Sequence, residues 1–297
     1  VGGGAITREI TLPGFKHDVF ATSLNLFKAG PVVEDLNLPA YGFKEALPDP
    51  ISGTPFPDGS GLFVYRELNK TLKSVESVSK KDAASYKKLY DFYLANKELI
   101  IGGLYAPPPP LSIMVSECEK TEEGQEFLRL SFMSARDYLN ENFESEEVKA
   151  WLVLWAVNHI PYAPEEPGSA LFMIAFAGII QEYGCGVAIG GMATVADSLA
   201  RFIQAHGGAI EVNSEVTKIL IKDDHAVGVQ LKSGRTIYSR KGIVANTEPK
   251  SLFLNLVGEE YLDPLFVKKV RKYRFPKASE VMIHAALDEW LDYRPPE

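Results

Sequence analysis

Cysteine is scarce: the 297-residue chain carries only Cys118 and Cys185. Two thiols cannot form a disulfide framework, and neither stands in a CxxC or Cys/His ligand spacing, so a disulfide scaffold is excluded and a cytoplasmic or organelle-matrix setting fits best. The five histidines, His17, His159, His206, His225 and His284, stand singly. None pairs at the i, i+3 or i, i+4 spacing that sets two imidazoles on one helix face, so no metal site is expected. Positive charge is in deficit, with 31 basic against 39 acidic residues and a net charge of −8. An acidic chain without a basic stripe repels phosphate backbones, which argues against nucleic acid as a partner. Long apolar runs are missing too. The most apolar stretch, 170–180, is shorter than the roughly 20 residues a bilayer-crossing helix needs. It reads as a buried or membrane-touching helix, so peripheral membrane contact is an expectation. The chain opens Val1-Gly2-Gly3-Gly4 without Met, a basic n-region or an apolar h-region, which reads as a piece of a longer chain with no secretory signal. No pattern specifies an oligomeric state.

What is present is enough apolar residue, 46%, to bury a large core, and length for two domains. The first twenty residues alternate around Pro13-Gly14 and predict two short strands and a turn, and 24–38 reads as partly helical. Prolines 48, 50, 55 and 57 with Asp58-Gly59 precede Leu62-Phe63-Val64-Tyr65, predicting an antiparallel hairpin. Ser79 and Asp82 open a helix whose apolar positions Ala83, Tyr86, Leu89, Tyr90 and Tyr93 recur at three and four residues. Pro107 to Pro110 break the chain. Helices are predicted over 121–139, over 146–157 behind a Ser145 cap, and over 169–180. A new unit starts near Val187, with a helix over 192–206 between Gly190-Gly191 and the stop Gly207-Gly208. Strands over 210–212, 216–221, 226–231, 236–238 and 241–246 follow, joined by the turns Asp223-Asp224-His225 and Lys232-Ser233-Gly234. The result is a mixed α/β chain with two domains.

The block from Gly190-Gly191-Met192 through Gly207-Gly208, Glu215-Val216-Thr217-Lys218-Ile219 and Val244-Ala245-Asn246-Thr247-Glu248-Pro249 resembles the phytoene desaturase and carotenoid isomerase family of FAD enzymes, nearest its pyridine nucleotide-disulfide oxidoreductase domain-containing protein 2 branch. Val1-Gly2-Gly3-Gly4-Ala5-Ile6-Thr7 followed by Pro13-Gly14-Phe15 is similar to that family's segment after its second Rossmann strand. The resemblance implies an incomplete glutathione-reductase-like FAD-binding Rossmann domain over 1–40 and 185–250. It also implies a substrate domain of antiparallel sheet and helices over 41–184 and 251–297. The family's GxGxxG loop would lie upstream of Val1. The implied activity is an FAD-dependent oxidoreductase that desaturates, saturates or isomerises carbon–carbon double bonds of an apolar small molecule, by hydride transfer to or from flavin. An amine oxidase-like flavoenzyme shares the plan, and a scaffold protein that keeps the fold without cofactor is the reading from another class.

The same resemblance marks Gly2, Gly3, Gly4, Ala5, Gly190, Gly191, Met192, Val216 and Asn246 as the cofactor-binding candidates. Glycine lets backbone N–H groups approach a pyrophosphate without a Cβ in the way; the plainer reading of Gly2 to Gly4 is a flexible terminus. The family often has arginine beside these glycines, where this chain has Gly4 and Ala5. Val216 corresponds to the position whose backbone reads the adenine edge, and reads equally as a core strand valine. Asn246 ends a strand where open α/β sheets face their ligands, or simply turns the chain. Trp151, Trp155, His159, Tyr162 and Phe172 are tunnel candidates for a lipid-like substrate, with an aromatic core stripe as the plainer reading. No catalytic acid, base or nucleophile is identifiable, as expected where the cofactor carries the redox chemistry.

Overall fold

The computed structural model describes residues 1–157, 163–275 and 281–289. The chain divides into two compact units, Val1–His206 with Ala278–Glu297, and Gly207–Lys277.

The first unit opens with the expected hairpin, β1 (Thr7–Glu9) antiparallel to β2 (Lys16–Asp18), with Gly14 at φ +89° in its turn. Two short helices, α1 (Asn25–Ala29) and α2 (Val32–Asp35), follow. The strand β3 (Glu45–Ala46) waits for a distant partner, and β4 (Ser52–Pro55) pairs antiparallel with β5 (Gly61–Val64) around Asp58-Gly59. The rest is helical: α3 (Leu68–Glu76), α4 (Lys80–Tyr105), α5 (Leu111–Cys118), α6 (Glu122–Phe132), α7 (Ala135–Asn142), α8 (Glu146–Val157) and α9 (Ser169–Tyr183). The strand β6 (Val187–Ala188) then closes on β3, antiparallel, and α10 (Ala193–Ala205) ends the run.

Side-chain caps explain several of these starts. Ser79 Oγ accepts the Asp82 N–H at 3.1 Å, and Ser145 Oγ accepts that of Val148 at 3.3 Å, each satisfying a donor that a helix start leaves orphaned. The helix expected as one piece over 121–139 is two, α6 and α7. Met133 leaves the helical region and Ser134 caps a fresh start, accepting the Asp137 N–H at 3.1 Å and donating to the Asp137 carboxylate at 2.6 Å.

The helix α9 is apolar on every face, which only a central position satisfies. It is packed by α1, α4, α6, α7 and α8, and Ala170, Met173, Ile174 and Ile179 are fully buried. The 170–180 stretch is therefore core, not a surface helix. It comes close to α4 at Gly178, where a Cβ would lie 2.1 Å from the Tyr93 ring. A smaller core of Leu24, Leu38, Phe43, Ala188, Met192 and Val195 lies under α10. No helix among the described residues is long and apolar enough to cross a membrane.

The second unit is an antiparallel sheet of β7 (Val216–Lys222), β8 (His225–Leu231) and β9 (Thr236–Tyr238), followed by a π-helical turn (Ser251–Gly258) and α11 (Pro264–Lys272). Asp223 and Asp224 both take positive φ, 50° and 59°, as a tight two-residue hairpin demands. Two expected strands do not form: 210–212 and 241–246 join no ladder among the described residues, and Val244 is 98% exposed. A strand exists only beside another strand, and every ladder among the described residues is antiparallel. The parallel sheet of a Rossmann domain is thus not built by them.

Candidate functional site

The N-terminal candidates gather around one feature. Gly2 and Gly3 have φ of +110° and +54°, and the Ala5 N–H closes the turn onto Gly2 O at 2.8 Å. A Cβ on Gly2 would meet Ala5 O at 2.5 Å and Ala196 Cβ of α10 at 3.0 Å, so Gly2 seats the turn against that helix. A Cβ on Gly3 would meet nothing within 4 Å, so the turn faces open space on that side. The N–H groups of Gly3 and Gly4 have no acceptor among the described residues.

Gly190 and Gly191, with φ of +90° and +92°, bring the start of α10 against the β1–β2 hairpin. A Cβ on Gly191 would sit 2.4 Å from Thr7 Oγ1. Asp18 Oδ1 accepts the Met192 N–H at 2.8 Å and the Thr7 hydroxyl at 2.6 Å, while Thr7 Oγ1 accepts the Ala193 N–H at 3.0 Å. The positive end of α10 is thereby capped by a carboxylate and a hydroxyl from the hairpin. Thr7 and Asp18 escaped the sequence reading, because a cap supplied from across a fold leaves no local spacing signal. Val216 opens β7, paired with Leu231, and Asn246 lies in the irregular stretch after β9; both belong to the second unit.

The tunnel candidates separate. Trp151 and Trp155 are core residues of α8, Trp151 with its ring 5.3 Å from that of Tyr86. Phe172, on α9, lines a cavity of about 720 Å³. His159 and Tyr162 lie outside the described residues. The cavity is bounded by the C-terminal part of α4, the proline run, α5, α6 and the N-terminal part of α9. Leu99, Ile100, Leu104, Met114, Phe127 and Phe176 are among its walls. Glu98 is the one ionisable side chain among the described lining residues, and the Ser131 hydroxyl donates to Phe127 O at 2.7 Å. Such a container selects for shape and apolarity, with almost nothing to orient a polar group.

Polar chemistry is held at the other end of the α4–α9 pair. Tyr93 donates to Glu182 Oε2 at 2.8 Å, Lys97 pairs with Glu182 Oε1, and Gln181 accepts from Tyr86 at 3.3 Å while donating to Tyr65 O at 2.9 Å. Burial raises the Tyr93 hydroxyl's pKa, and its bond to the Glu182 carboxylate raises it further. Desolvation raises that of Tyr86 as well. Both phenols stay neutral, and the cluster fastens the two helices that wall the cavity.

No family model matches the chain. It is similar to one of the subunits of the limonene dehydrogenase of Castellaniella defragrans, 23% identical over 96% of this chain and 53% of that protein. It is also similar to pyridine nucleotide-disulfide oxidoreductase domain-containing protein 2 of Rattus norvegicus, 26% identical over 91% of this chain and 51% of that one. A shorter match, 36% identical over 78 residues and 15% of the relative, is to a neurosporene-forming phytoene desaturase of Cereibacter sphaeroides. The chain spans about half the length of the first two relatives. Among solved structures, the PF1083 protein of Pyrococcus furiosus shares the fold, with a TM-score of 0.55, 16% identity, and coverage of 92% of this chain and 57% of that one. The chain is a homologue of the phytoene desaturase-like oxidoreductases, the group its glycine motifs resemble.

Proposed function

We propose that this chain is part of an FAD-dependent oxidoreductase acting on an apolar substrate, whose carbon–carbon double bonds it forms, saturates or isomerises. The observation that carries the substrate class is the cavity beneath α4 and α9, whose described lining contains a single ionisable group, Glu98. Glu98 is itself exposed, so the buried part of the described lining offers an ammonium no carboxylate to pair with, which favours a hydrocarbon over the amine of an amine oxidase.

The residues fit the cofactor at one place. Gly3 leaves room above the N-terminal turn, and the Gly3 and Gly4 N–H groups await acceptors, which suits a pyrophosphate oxygen. The start of α10 does not fit, because Asp18 and Thr7 already hold its Met192 and Ala193 N–H groups. Gly191 therefore serves the packing of hairpin on helix, and Gly190 lies against Thr194 of α10. The discontinuous division into an FAD-binding part, 1–40 with 185–250, and a substrate part remains our reading of the organisation. Bound FAD would supply the hydride acceptor or donor. The chain's own part is to hold an extended apolar molecule by surface contact and to exclude water from it, through Ile100, Phe127, Phe172, Phe176 and Ile179.

Titration with a fluorescent polyene tests this reading. Saturable binding that a long-chain amine of equal length does not outcompete supports it, and preference for the amine overturns it.

A further inference from the structure

Residues 104–114 form a strap along the cavity, held differently from the other walls. Leu104, Ala106, Pro107, Pro108, Pro109 and Met114 line the cavity from it, whereas α6 and α9 are set in the core through Phe127, Leu130, Ile174 and Ile179. Leu104 through Ile113 are all exposed. The carbonyls of 107–109 and the N–H groups of Leu111 and Ser112 have no hydrogen-bond partner among the described residues. One hydrogen bond among those residues fastens the strap to an element other than α4 and α5: the Tyr105 hydroxyl donates to Leu26 O of α1. The Tyr105 ring lies against Gly30, where a Cβ would stand 2.6 Å from it.

The two ends of the strap are built oppositely. Gly102 and Gly103 stand side by side in the last turn of α4, although glycine is the weakest helix former after proline. Neither takes positive φ, and a Cβ on either would meet nothing within 4 Å. Glycine therefore supplies neither left-handed geometry nor close packing there; what it supplies is freedom to leave the helix. At the far end α5 is clamped. Cys118 is buried, and a Cβ on Gly124 of α6 would stand 2.1 Å from the Cys118 carbonyl oxygen. Between the two ends, four prolines fix φ and stiffen the strap. A stiff segment with one soft joint and one fixed end swings as a body.

We propose that 104–114 is a gate to the cavity, hinged at Gly102-Gly103 and latched by Tyr105 on Leu26, whose opening sets how fast an apolar ligand enters and leaves. The ligand's passage rests on the proposed function; the gate itself rests on hinge, strap and latch alone. The latch is exposed, so when it opens both the Tyr105 hydroxyl and Leu26 O are met by water, and the bond gives way at modest cost.

The test is labelling of an Ala175→Cys variant, which places a thiol in the cavity wall, with a bulky maleimide, read at that site by mass spectrometry. Adding Tyr105→Phe removes the latch and keeps the ring; labelling at 175 should rise about fivefold, the worth of one such hydrogen bond. Adding Gly102→Ala with Gly103→Ala instead stiffens the hinge without a clash, and should slow labelling at least about fivefold. Labelling of the native Cys118, behind the clamp, should stay the same throughout, which separates opening of the gate from opening of the whole unit. Rates at 175 that neither change alters, or that move together with those at Cys118, overturn the proposal. With a fluorescent polyene, the double alanine variant should slow association and dissociation alike and leave affinity within about twofold; unchanged rates overturn the gate. A polyene that binds none of these proteins removes the proposed function, and the labelling still decides the gate.

Discussion

Asp82 is a fully buried carboxylate that holds two helices in register. One oxygen accepts the Glu144 N–H at 2.8 Å, the other the Ser145 N–H at 2.9 Å, and Ser79, which caps the helix of Asp82, also donates to Glu144 at 3.0 Å. The start of α4 is thereby tied to the start of α8. Hydrogen bonds to a charged acceptor are each worth about 1.5–3 kcal/mol, and removing the acceptor leaves buried donors unpaired. Asp82→Ala is expected to destabilise the protein by about 3 kcal/mol or more, since the exposed turn beyond Ser145 allows water to recover part of the loss. For a unit of this size that lowers the melting temperature by about 6–12 °C. Asp82→Asn, which keeps one carbonyl acceptor, should lose about half as much. Urea unfolding followed by circular dichroism reads both. A loss below about 1 kcal/mol for Asp82→Ala would refute the role of the carboxylate as the tie between α4 and α8.

Gly178→Ala adds a methyl group 2.1 Å from the Tyr93 ring; overpacking should cost about 1–3 kcal/mol despite alanine's better helix propensity, and urea midpoints showing stabilisation would contradict the close α4–α9 approach. Burial pushes the Tyr138 hydroxyl from its ordinary 10.0 up to about 12. The folded state then keeps a proton that the unfolded chain releases, so this contribution is complete below pH 10 and falls away as pH rises through 12, by about 1.4 kcal/mol per pH unit. Alkaline unfolding of Tyr138→Phe, which has no proton to lose, should show a shallower decline between those values. In the cavity, Ala175→Phe occupies space that a ligand would fill. Polyene affinity should drop at least about tenfold with little change in the urea midpoint, and unchanged affinity would move the binding site elsewhere.

Much of the helical frame was legible because its signals are local. Ser79 and Ser145 announce helix starts by chemistry acting within three residues, and Asp223-Asp224 is a pair that tolerates left-handed geometry. The division between α6 and α7 was legible too, in Ser134 with Asp137 three residues on, but the continuing apolar pattern across Met133 masked it. The stretches 210–212 and 241–246 were misjudged for a different reason. Alternation reports which side chains seek burial, not which strand lies alongside, and that neighbour is a matter of distant sequence. The site divides in the same way. Gly2 to Gly4 stood out as candidates by residue type alone, though not as a turn, whereas Thr7 and Asp18 meet α10 only through the fold. Trp151 and Trp155 take the plainer of their two readings, core, because an aromatic stripe at helical spacing suits both a core and a cavity. The cavity's walls come from four helices and the proline run, and the one sequence signal that points to it is the missing charge over 99–116.

Flavin binding is read from the visible absorption spectrum of the protein extended to the length of its relatives, purified under mild conditions and reconstituted with FAD where needed. The expected result is the band of a tightly bound flavin, diminished by Gly3→Asp, which would set a carboxylate where the pyrophosphate is expected. A well-folded protein that takes up no flavin after reconstitution would contradict it.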